Sequence, residues 1–151
     1  MPLNEYNKKR NFSKTKEPKG KISKPSGKKL IYVLQKHHAS HLHWDLRLEM
    51  NGVLKSWAIP KEPPKAKGVK RLAVMTEDHP MGYEKFHGTI PEGNYGAGKV
   101  EIWDKGTYEL KTSDSKKIEV IIHGKKLGGD FVLVKTNYGS KPEKSWLFFR
   151  V

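Results

Sequence analysis

Cysteine is absent from the chain. Disulfide bonds and thiolate metal ligands are therefore excluded, and any bound metal ion must be held by histidines and carboxylates. The chain also lacks an apolar run near the roughly 18 residues that a membrane-spanning helix needs, so no membrane partner is expected. Its lysine-rich N-terminus has no apolar region typical of a secretory signal. These absences predict a soluble, cytoplasmic protein.

Hydrophobic and acidic residues are both scarce. Hydrophobic residues make up 35% of the 151 residues, although four Trp, six Tyr and five Phe supply material for the core of one domain. Lys and Arg number 30 against 16 Asp and Glu, which gives a formal net charge of +14. Such an excess favours a polyanionic partner, above all nucleic acid. The alternative is a generic basic surface rich in Lys and Glu.

The excess charge is concentrated in residues 1–29, which hold ten Lys or Arg and two acids, a net charge of +8. Few apolar residues and several Pro and Gly predict a basic, partly disordered N-terminal arm that precedes a domain over residues 30–151. The arm is either a solubilising tail or a segment that lies along a phosphate backbone. The more varied residues Tyr6, Arg10, Phe12 and Glu17 indicate that part of it docks on the domain.

From Leu30 onward the pattern is typical of short strands without an amphipathic helix. Turn signals recur every 8–12 residues, which predicts an all-β sandwich or barrel. Asn51-Gly52 predicts a tight hairpin turn. Thr76–Tyr83 and Asp104-Lys105-Gly106 are predicted as a loop and a turn, and the glycine-rich Pro91–Gly98 as a structural turn rather than a phosphate cradle. The predicted strands are Leu30–Gln35, His43–Met50, Val53–Ile59, Arg71–Met75, Lys85–Ile90, Lys99–Trp103 with its partner Thr107–Lys111, Lys117–His123, Asp130–Thr136 and Ser145–Val151.

One stretch organises the candidate chemistry. From His43 to Met50 polar and apolar residues alternate strictly, as in a strand with two different faces. One face would carry His43, Asp45 and Arg47 roughly 6.5–7 Å apart. At that spacing the first two could ligate one metal ion while the arginine reaches an anion beside it. The alternative is a sheet with one solvated face.

Spacing alone leaves several candidates open. The possible metal ligands are His37, His41, His43 and Asp45, which suit Mn, Fe, Zn or Co. Possible anion-binding residues are Arg47, Lys61 and Arg71. His79 could donate a proton, contact a phosphate or cap a turn. The single histidines His87 and His123 are interpreted as structural or exposed.

Three classes of function fit these candidates. In a phosphoesterase, a metal polarises a phosphoryl oxygen while Arg and His offset the developing charge. In a non-haem iron oxygenase, His43-x-Asp45 would form two thirds of a facial triad that a distal residue such as His123 completes. A non-catalytic barrel would bind nucleic acid through stacking aromatic residues. The arginine and the net charge favour the phosphoesterase.

Several motifs resemble the signature of the 3′-phosphoesterase module of bacterial DNA ligase D. The resemblance covers nearly the whole chain and includes Lys9-Arg10-Asn11-Phe12 and Glu17-Pro18 in the arm. Its longest block runs from Gln35 to Glu49. The other matching motifs are Leu54-Lys55-Ser56-Trp57-Ala58-Ile59-Pro60-Lys61, Arg71-Leu72-Ala73-Val74, Glu77-Asp78-His79-Pro80 and Ile90-Pro91-Glu92-Gly93-Asn94-Tyr95-Gly96.

The resemblance implies a small closed antiparallel β-barrel of about eight strands that trims DNA 3′ ends. The family removes a terminal ribonucleoside and then the remaining 3′-phosphate, with Mn²⁺ as cofactor and Co²⁺ or Zn²⁺ as alternatives. The implied substrates are DNA or DNA–RNA primer-template 3′ ends. Because no ligase or polymerase module is attached, a stand-alone member is expected, with a DNA ligase, polymerase or end-binding protein supplied in trans.

The resemblance also implies a role for each matching residue. The metal ligands would be His37, His43 and Asp45, and His41 is dropped because its position varies in the family. Trp44, Met75-Thr76 and His87 depart from the family pattern without touching these ligands. The remaining implied site residues are Arg47 and His79 for the phosphate, Tyr83 beside them, Lys61 and Arg71 for substrate binding, and Arg10 and Glu17 from the arm.

Overall fold

Antiparallel strands form most of the chain in the computed structural model, which describes residues 3–18, 20, 29–137, 139 and 141–151. The helices of these residues are α1 (Asn4–Lys8) and two short 3₁₀ helices, Tyr83–Lys85 and Pro142–Lys144. None of them is long and apolar enough to cross a membrane. The strands are β1 (Leu30–His38), β2 (Leu42–Met50), β3 (Val53–Ile59), β4 (Arg71–Pro80), β5 (Gly88–Ile90), β6 (Gly98–Ser113), β7 (Lys117–Gly124), β8 (Gly128–Lys135) and β9 (Ser145–Arg150).

Eight of the strands close into a barrel. They follow the order β1-β2-β3-β4-β9-β8-β7-β6, and β6 pairs back onto β1 over residues 99–108. The ninth strand, β5, adds to one end of β6. Every pairing between these named strands is antiparallel. The predicted closed antiparallel barrel is therefore confirmed.

The two faces of β2 separate as the alternation predicts. Asn51 and Gly52 take positive φ values of 53° and 81° in the turn between β2 and β3, so the predicted hairpin is confirmed. The apolar side chains of β2 enter the barrel core, where paired aromatic rings such as Trp57–Trp146 and Phe131–Phe148 fill the interior. The register of the hairpin thus directs the opposite, polar row of β2 to the outside of the barrel.

The N-terminal arm covers this outer polar face. Leu3 and Tyr6 are fully buried against Val53, Leu54 and Tyr83, which form a second apolar cluster outside the barrel. Burial of two large side chains contributes about 3–6 kcal/mol, enough to hold a short segment. The alternative of a solvated face is therefore wrong for this part of β2. The partial disorder predicted for residues 1–29 stays a prediction, because residues 1, 2, 19 and 21–28 of this arm lie outside the described residues.

β4 is longer than its sequence indicates. Thr76–Tyr83 was predicted to be a loop because it contains Pro80 and Gly82, yet the strand continues to Pro80 and pairs with β3. Ser56 of β3 lies opposite Thr76 and Leu54 lies opposite His79, so β4 has one extra residue between them. This bulge changes the alternation of β4 and turns His79 toward the outer face. The predicted strand over 85–90 is also shorter and comprises Gly88–Ile90.

The predicted turn at Asp104-Lys105-Gly106 is wrong, because β6 runs through it as one strand of 16 residues. Leu34 of β1 lies opposite Asp104 and Gln35 lies opposite Ile102, which leaves the intervening Trp103 as a bulge. Asp104, the polar residue that indicated a turn, instead accepts hydrogen bonds inside the fold. The buried Asp104 carboxylate accepts hydrogen bonds from the Tyr32 hydroxyl and from the backbone N–H groups of residues 125, 126 and 127, at 2.8–3.0 Å.

Asp104→Asn is expected to lower the free energy of unfolding by about 2–4 kcal/mol, because an amide cannot accept all four hydrogen bonds. Burial raises the pKa of Asp104, but the hydrogen bonds from these backbone N–H groups and from Tyr32 outweigh it and hold the pKa below its ordinary value. The stabilisation is therefore present above the pKa of the unfolded carboxyl group and is lost as the pH falls toward the folded value.

Urea unfolding of the wild type and the variant, at neutral pH and in acid, measures this difference. The gap between them should shrink in acid. The matched control is Asp130→Asn, which removes an exposed ion pair with Lys111 and should change stability by less than about 1 kcal/mol. Equal effects of the two substitutions would show that the Asp104 hydrogen bonds do not stabilise the barrel.

Candidate metal and phosphate site

A cavity of about 230 Å³ opens on the outer face of β1, β2 and β4, beneath the N-terminal arm. The polar row of β2 forms its floor, while the arm, the end of β4 and the glycine-rich loop form its walls. Most of the predicted site residues lie around it. Its chemically active lining residues are Arg10, His37, His43, Asp45, Arg47, Glu77, His79, Tyr83 and Tyr95.

The β1–β2 hairpin brings the three predicted metal ligands together. His37 and His43 are direct partners across the two strands, so their side chains leave the sheet on the same face. Their ring centroids lie 4.8 Å apart. Asp45 follows His43 by two residues and therefore shares that face. One ligand atom from each of the three residues lies within 4.8 Å of the other two.

Backbone carbonyl groups fix which nitrogen of each histidine faces the centre of this group. His37 Nε2 is 2.6 Å from the Gly96 carbonyl oxygen, and His43 Nδ1 is 3.0 Å from the His41 carbonyl oxygen. Since a carbonyl oxygen can only accept, both of these nitrogens carry a proton. The other ring nitrogens, Nδ1 of His37 and Nε2 of His43, are the ones left for a metal ion.

Both of these other ring nitrogens lie beside the Asp45 carboxylate. His43 Nε2 is 3.2 Å from Oδ1 and His37 Nδ1 is 3.5 Å from Oδ2. Two imidazole nitrogens and one carboxylate, each histidine held by an outer hydrogen bond, are a donor set that suits divalent transition metals. Burial raises the pKa of Asp45, but the Arg47 guanidinium and the imidazoles outweigh it and hold the pKa well below the ordinary range. The carboxylate is therefore ionised and can ligate a cation.

Arg47 is held rigidly next to this group. Its Nε donates to Gln35 Oε1 at 2.6 Å and its Nη1 to Ser56 Oγ at 2.8 Å. Nη2 lies 3.4 Å from Asp45 Oδ2, and the guanidinium stands 4.8 Å from the centre of the Tyr83 ring. Only 4% of the residue is exposed. A buried guanidinium with a fixed orientation beside a metal site is suited to binding an anionic oxygen.

The arm contributes a second buried guanidinium. Arg10 Nε donates to Glu17 Oε2 at 2.9 Å, and Nη1 donates to the Tyr6 carbonyl oxygen at 3.1 Å. Nη1 also lies 3.4 Å from Glu77 Oε2, and Nη2 lies 3.2 Å from His79 Nε2. Arg10 thus ties two segments of the arm to β4. The structure places this predicted arm residue inside the cavity rather than in a solvated tail.

His79 is a neutral imidazole in this arrangement. Burial, together with the nearby Arg47 and Arg10 charges, lowers its pKa well below the ordinary value. Its Nδ1 is 3.0 Å from the Glu77 carbonyl oxygen and therefore carries the proton. Nε2, which faces Arg10, is then the acceptor of an Arg10 N–H group.

Tyr83 joins the arm to the barrel. Its hydroxyl donates to Glu17 Oε2 at 2.6 Å, while the Thr15 hydroxyl donates to Glu17 Oε1 at 3.0 Å. Burial and the Glu17 carboxylate raise the pKa of Tyr83 well above its ordinary value, so the phenol stays protonated. Glu17 is therefore connected to the cavity by its hydrogen bonds with two lining residues, Tyr83 and Arg10.

Two of the predicted substrate-binding residues lie elsewhere. Lys61 and Arg71 line a separate surface depression with Lys70, and Arg71 Nε donates to the Glu62 carbonyl oxygen at 2.9 Å. The His41 side chain is exposed, and its contact with the site is the hydrogen bond that its carbonyl oxygen accepts from His43 Nδ1.

The single histidines also lie outside the cavity. His87 is exposed, and His123 is exposed and lies 2.7 Å from Glu109. The facial triad that His123 would complete is therefore not formed, although two histidines and a carboxylate are present without it.

Several residues of the site were missed because their contacts join distant parts of the chain. Gln35 and Ser56 orient Arg47, Glu77 binds Arg10, and the Gly96 carbonyl orients His37. Gly96 has a φ of 72°, which glycine adopts readily. The glycine cluster in the sequence was the available signal, and it predicted a turn without indicating what the turn does.

The fold and the cavity define a small antiparallel β-barrel protein with a site suited to both a divalent metal ion and an anion. The family model of the DNA Ligase D 3′-phosphoesterase domain matches residues 35–135. The chain belongs to this family of 3′-phosphoesterase domains, and the predicted resemblance is confirmed.

Curated relatives support this assignment. The chain is 46% identical over 152 residues to the multifunctional non-homologous end joining protein LigD of Pseudomonas aeruginosa, across 97% of this chain and 18% of that protein. It is 44% identical over 160 residues to the LigD protein of Mycolicibacterium smegmatis, across 99% of this chain and 20% of that protein. The multifunctional non-homologous end joining DNA repair protein LigD of Mycobacterium tuberculosis is 46% identical over 139 residues, across 89% of this chain and 18% of its own length.

The chain thus spans about a fifth of the length of these relatives. Membership of this family supports a role in DNA end processing. It also supports activity as a hydrolase on phosphoester bonds. The expectation that this protein is a stand-alone member stays a prediction.

Proposed function

We propose that this protein is a metal-dependent phosphoesterase that repairs DNA 3′ ends. It removes a 3′-terminal ribonucleoside as a phosphodiesterase and then the remaining 3′-phosphate as a phosphomonoesterase, which leaves a 3′-hydroxyl group. Its substrates are the 3′ ends of DNA or DNA–RNA primer-templates in non-homologous end joining. A DNA ligase, polymerase or end-binding protein acting in trans would use the product.

One observation carries the proposal: two oriented imidazoles and an ionised carboxylate converge beside two buried arginines in one cavity. His37, His43 and Asp45 would hold a divalent ion, which we propose to be Mn²⁺, with Co²⁺ or Zn²⁺ as alternatives. Such an ion supplies Lewis-acid polarisation of the phosphoryl oxygen. The donor set alone would also suit an iron oxygenase, but the two buried arginine side chains and the family membership favour a phosphate substrate.

The arginines bind and orient the phosphate. Arg47 offers the guanidinium edge that Gln35 and Ser56 leave unused, next to the ligand Asp45. Arg10 reaches the same space from the arm and offsets the charge that develops on the phosphoryl oxygens. Because the arm also covers the cavity, it limits the water that screens these charges.

His79 contributes through Nε2, which faces the cavity. It would either contact the phosphate as a donor or protonate the leaving oxygen, and both roles require a proton on that nitrogen. A phosphate dianion near His79 favours that proton by offsetting the Arg47 and Arg10 charges, which lower its pKa. Tyr83 packs on Arg47 and positions Glu17 beside Arg10.

A 5′-labelled primer-template that ends in one ribonucleotide tests the proposal. The protein is incubated with it in Mn²⁺, with and without a chelator, and the products are separated on a denaturing gel. We expect metal-dependent conversion to a 3′-phosphate end and then to a 3′-hydroxyl end. Binding without turnover in every divalent metal would favour the non-catalytic nucleic-acid-binding barrel instead.

Lys61 is proposed to bind the DNA backbone away from the reacting phosphate, since it is exposed and lies outside the cavity. Lys61→Ala should weaken DNA binding and reduce the slope of log affinity against log salt by about 0.9, the value for one duplex phosphate contact. Anisotropy titrations at several salt concentrations measure this slope. Lys116→Ala, at an exposed position in the β6–β7 turn, is the control. An unchanged slope would remove Lys61 from the phosphate contacts.

A further inference from the structure

A basic groove of about 370 Å³ lies beside the cavity, between the arm and the glycine-rich loop. The arm lines it with four cationic side chains, and the loop lines it with one acid, Glu92. Of the four cations, Lys9 and Arg10 are already engaged by carboxylates. The groove is lined by Lys8, Lys9, Arg10, Asn11 and Lys14 from the arm, and by Glu92, Gly93, Asn94 and Tyr95 from the loop.

Tyr95 is the exposed aromatic residue of this groove, with 48% of its surface accessible. Two cations of the arm are close to its ring: Lys9 Nζ lies 4.6 Å and Arg10 Cζ lies 5.6 Å from the ring centroid. Lys9 Nζ is also 3.4 Å from the Tyr95 hydroxyl oxygen. An exposed aromatic ring among cations is the combination that binds nucleic-acid strands, because bases stack on the ring while the cations contact phosphates.

The groove is continuous with the cavity. Arg10 and Tyr95 line both of them. The residue after Tyr95 is Gly96, whose carbonyl oxygen accepts the hydrogen bond from His37 Nε2. The loop that presents the aromatic ring is therefore hydrogen-bonded directly to one of the candidate metal ligands, which places the ring next to the candidate metal site.

We propose that this groove holds the retained DNA strand, on the 5′ side of the scissile phosphate. Tyr95 stacks on the base of the nucleotide that carries that phosphate, and Lys8 and Lys14 contact the next phosphates of the same strand. This inference rests on the proposed function and adds to it the direction in which the strand leaves the cavity.

The charge of the groove identifies which side of the substrate it takes. The retained strand carries one phosphate per nucleotide, whereas the departing ribonucleoside has no phosphate beyond the scissile one. Lysines that line a groove next to the cavity match a chain of phosphates and have no partner on a lone nucleoside. In the second step the departing nucleoside is absent, so a groove for the retained strand can serve both reactions.

Binding without turnover tests the groove. A fluorescein-labelled primer-template that ends in a 3′-phosphate is titrated with the protein in a chelator, at several salt concentrations. The double variant Lys8→Ala/Lys14→Ala should bind more weakly, with a salt slope lower by about 1–2, the value for one or two lost phosphate contacts. Tyr95→Leu should weaken binding about tenfold at an unchanged slope, and Tyr95→Phe should restore most of the affinity because stacking remains.

Lys116→Ala, outside the groove, is the matched control and should keep both affinity and slope. Lys8, Lys14 and Tyr95 are exposed, so thermal unfolding should be unchanged in all variants. Wild-type affinity and slope in the groove variants would overturn the inference while leaving the proposed function intact. If the groove variants bind DNA more weakly but the protein shows no metal-dependent turnover, the proposed function would be overturned and the inference about the groove would remain.

Discussion

Asp45→Ala is expected to abolish both phosphoester hydrolysis steps and the binding of the metal ion. Asp45 is the residue on which His37 Nδ1 and His43 Nε2 converge, and it also faces Arg47 Nη2. Its removal deletes the single anionic ligand of the candidate site. A metal ion contributes several kcal/mol of transition-state stabilisation, so the rate should fall by more than about 10³-fold.

Two measurements distinguish the loss of the metal site from unfolding of the variant. Mn²⁺ binding followed by electron paramagnetic resonance should disappear in Asp45→Ala, while thermal unfolding should still show a folded barrel. Asp45→Asn, which keeps the shape of the side chain, should show the same loss. Asp130→Asn, at a half-exposed position on β8, is the matched control and should behave as the wild type. Full activity of the Asp45 variants would exclude this site.

Arg10→Ala is expected to lower turnover by about 10²–10³-fold, the usual effect of removing one charged group that stabilises a transition state. Although it lies in the arm, Arg10 is buried in the cavity and contacts Glu17, Glu77 and His79. Arg10→Lys should restore only part of the activity, because a point charge cannot make the parallel contacts of a guanidinium. Turnover of a 3′-phosphate end under saturating DNA measures the effect.

The neighbouring arm residue Lys16 provides the control, since it is exposed and carries the same charge. Lys16→Ala should change turnover little, at most through weaker DNA binding at low salt. Equal losses in Lys16→Ala and Arg10→Ala would mean that the arm acts through its overall charge and not through a residue placed in the cavity.

The local features of the fold could be predicted because they depend on neighbouring residues. The alternation from His43 to Met50 predicted both faces of β2, and Asn51-Gly52 predicted the hairpin. Local patterns also caused the errors. Pro80 and Gly82 indicated a loop where β4 pairs with β3, and Asp104 indicated a turn where its carboxylate binds a distant loop. Tertiary pairing outweighed the turn propensity in both cases.

Most residues of the candidate site could be predicted, but not the groups that orient them. Four of the seven histidines lie within residues 37–43, and the alternation aligned His43 with Asp45 and Arg47. Hydrogen bonds between residues far apart in the sequence leave no local pattern. The bond from His37 Nε2 to the Gly96 carbonyl oxygen is one example. Composition alone left open whether the arm is a tail, but its varied residues Tyr6, Arg10, Phe12 and Glu17 indicated docking. In the structure Leu3 and Tyr6 anchor it over the polar face.

The central claim is that one metal ion, held by His37, His43 and Asp45, serves phosphoester hydrolysis in this cavity. The most direct measurement titrates Mn²⁺ into chelator-treated protein, following bound metal by electron paramagnetic resonance and 3′-phosphate release from DNA in the same samples. The account predicts that phosphate release rises in parallel with the first bound ion per chain and that Asp45→Ala shows neither signal. Phosphate release from metal-free protein, or equal metal binding by Asp45→Ala, would contradict it.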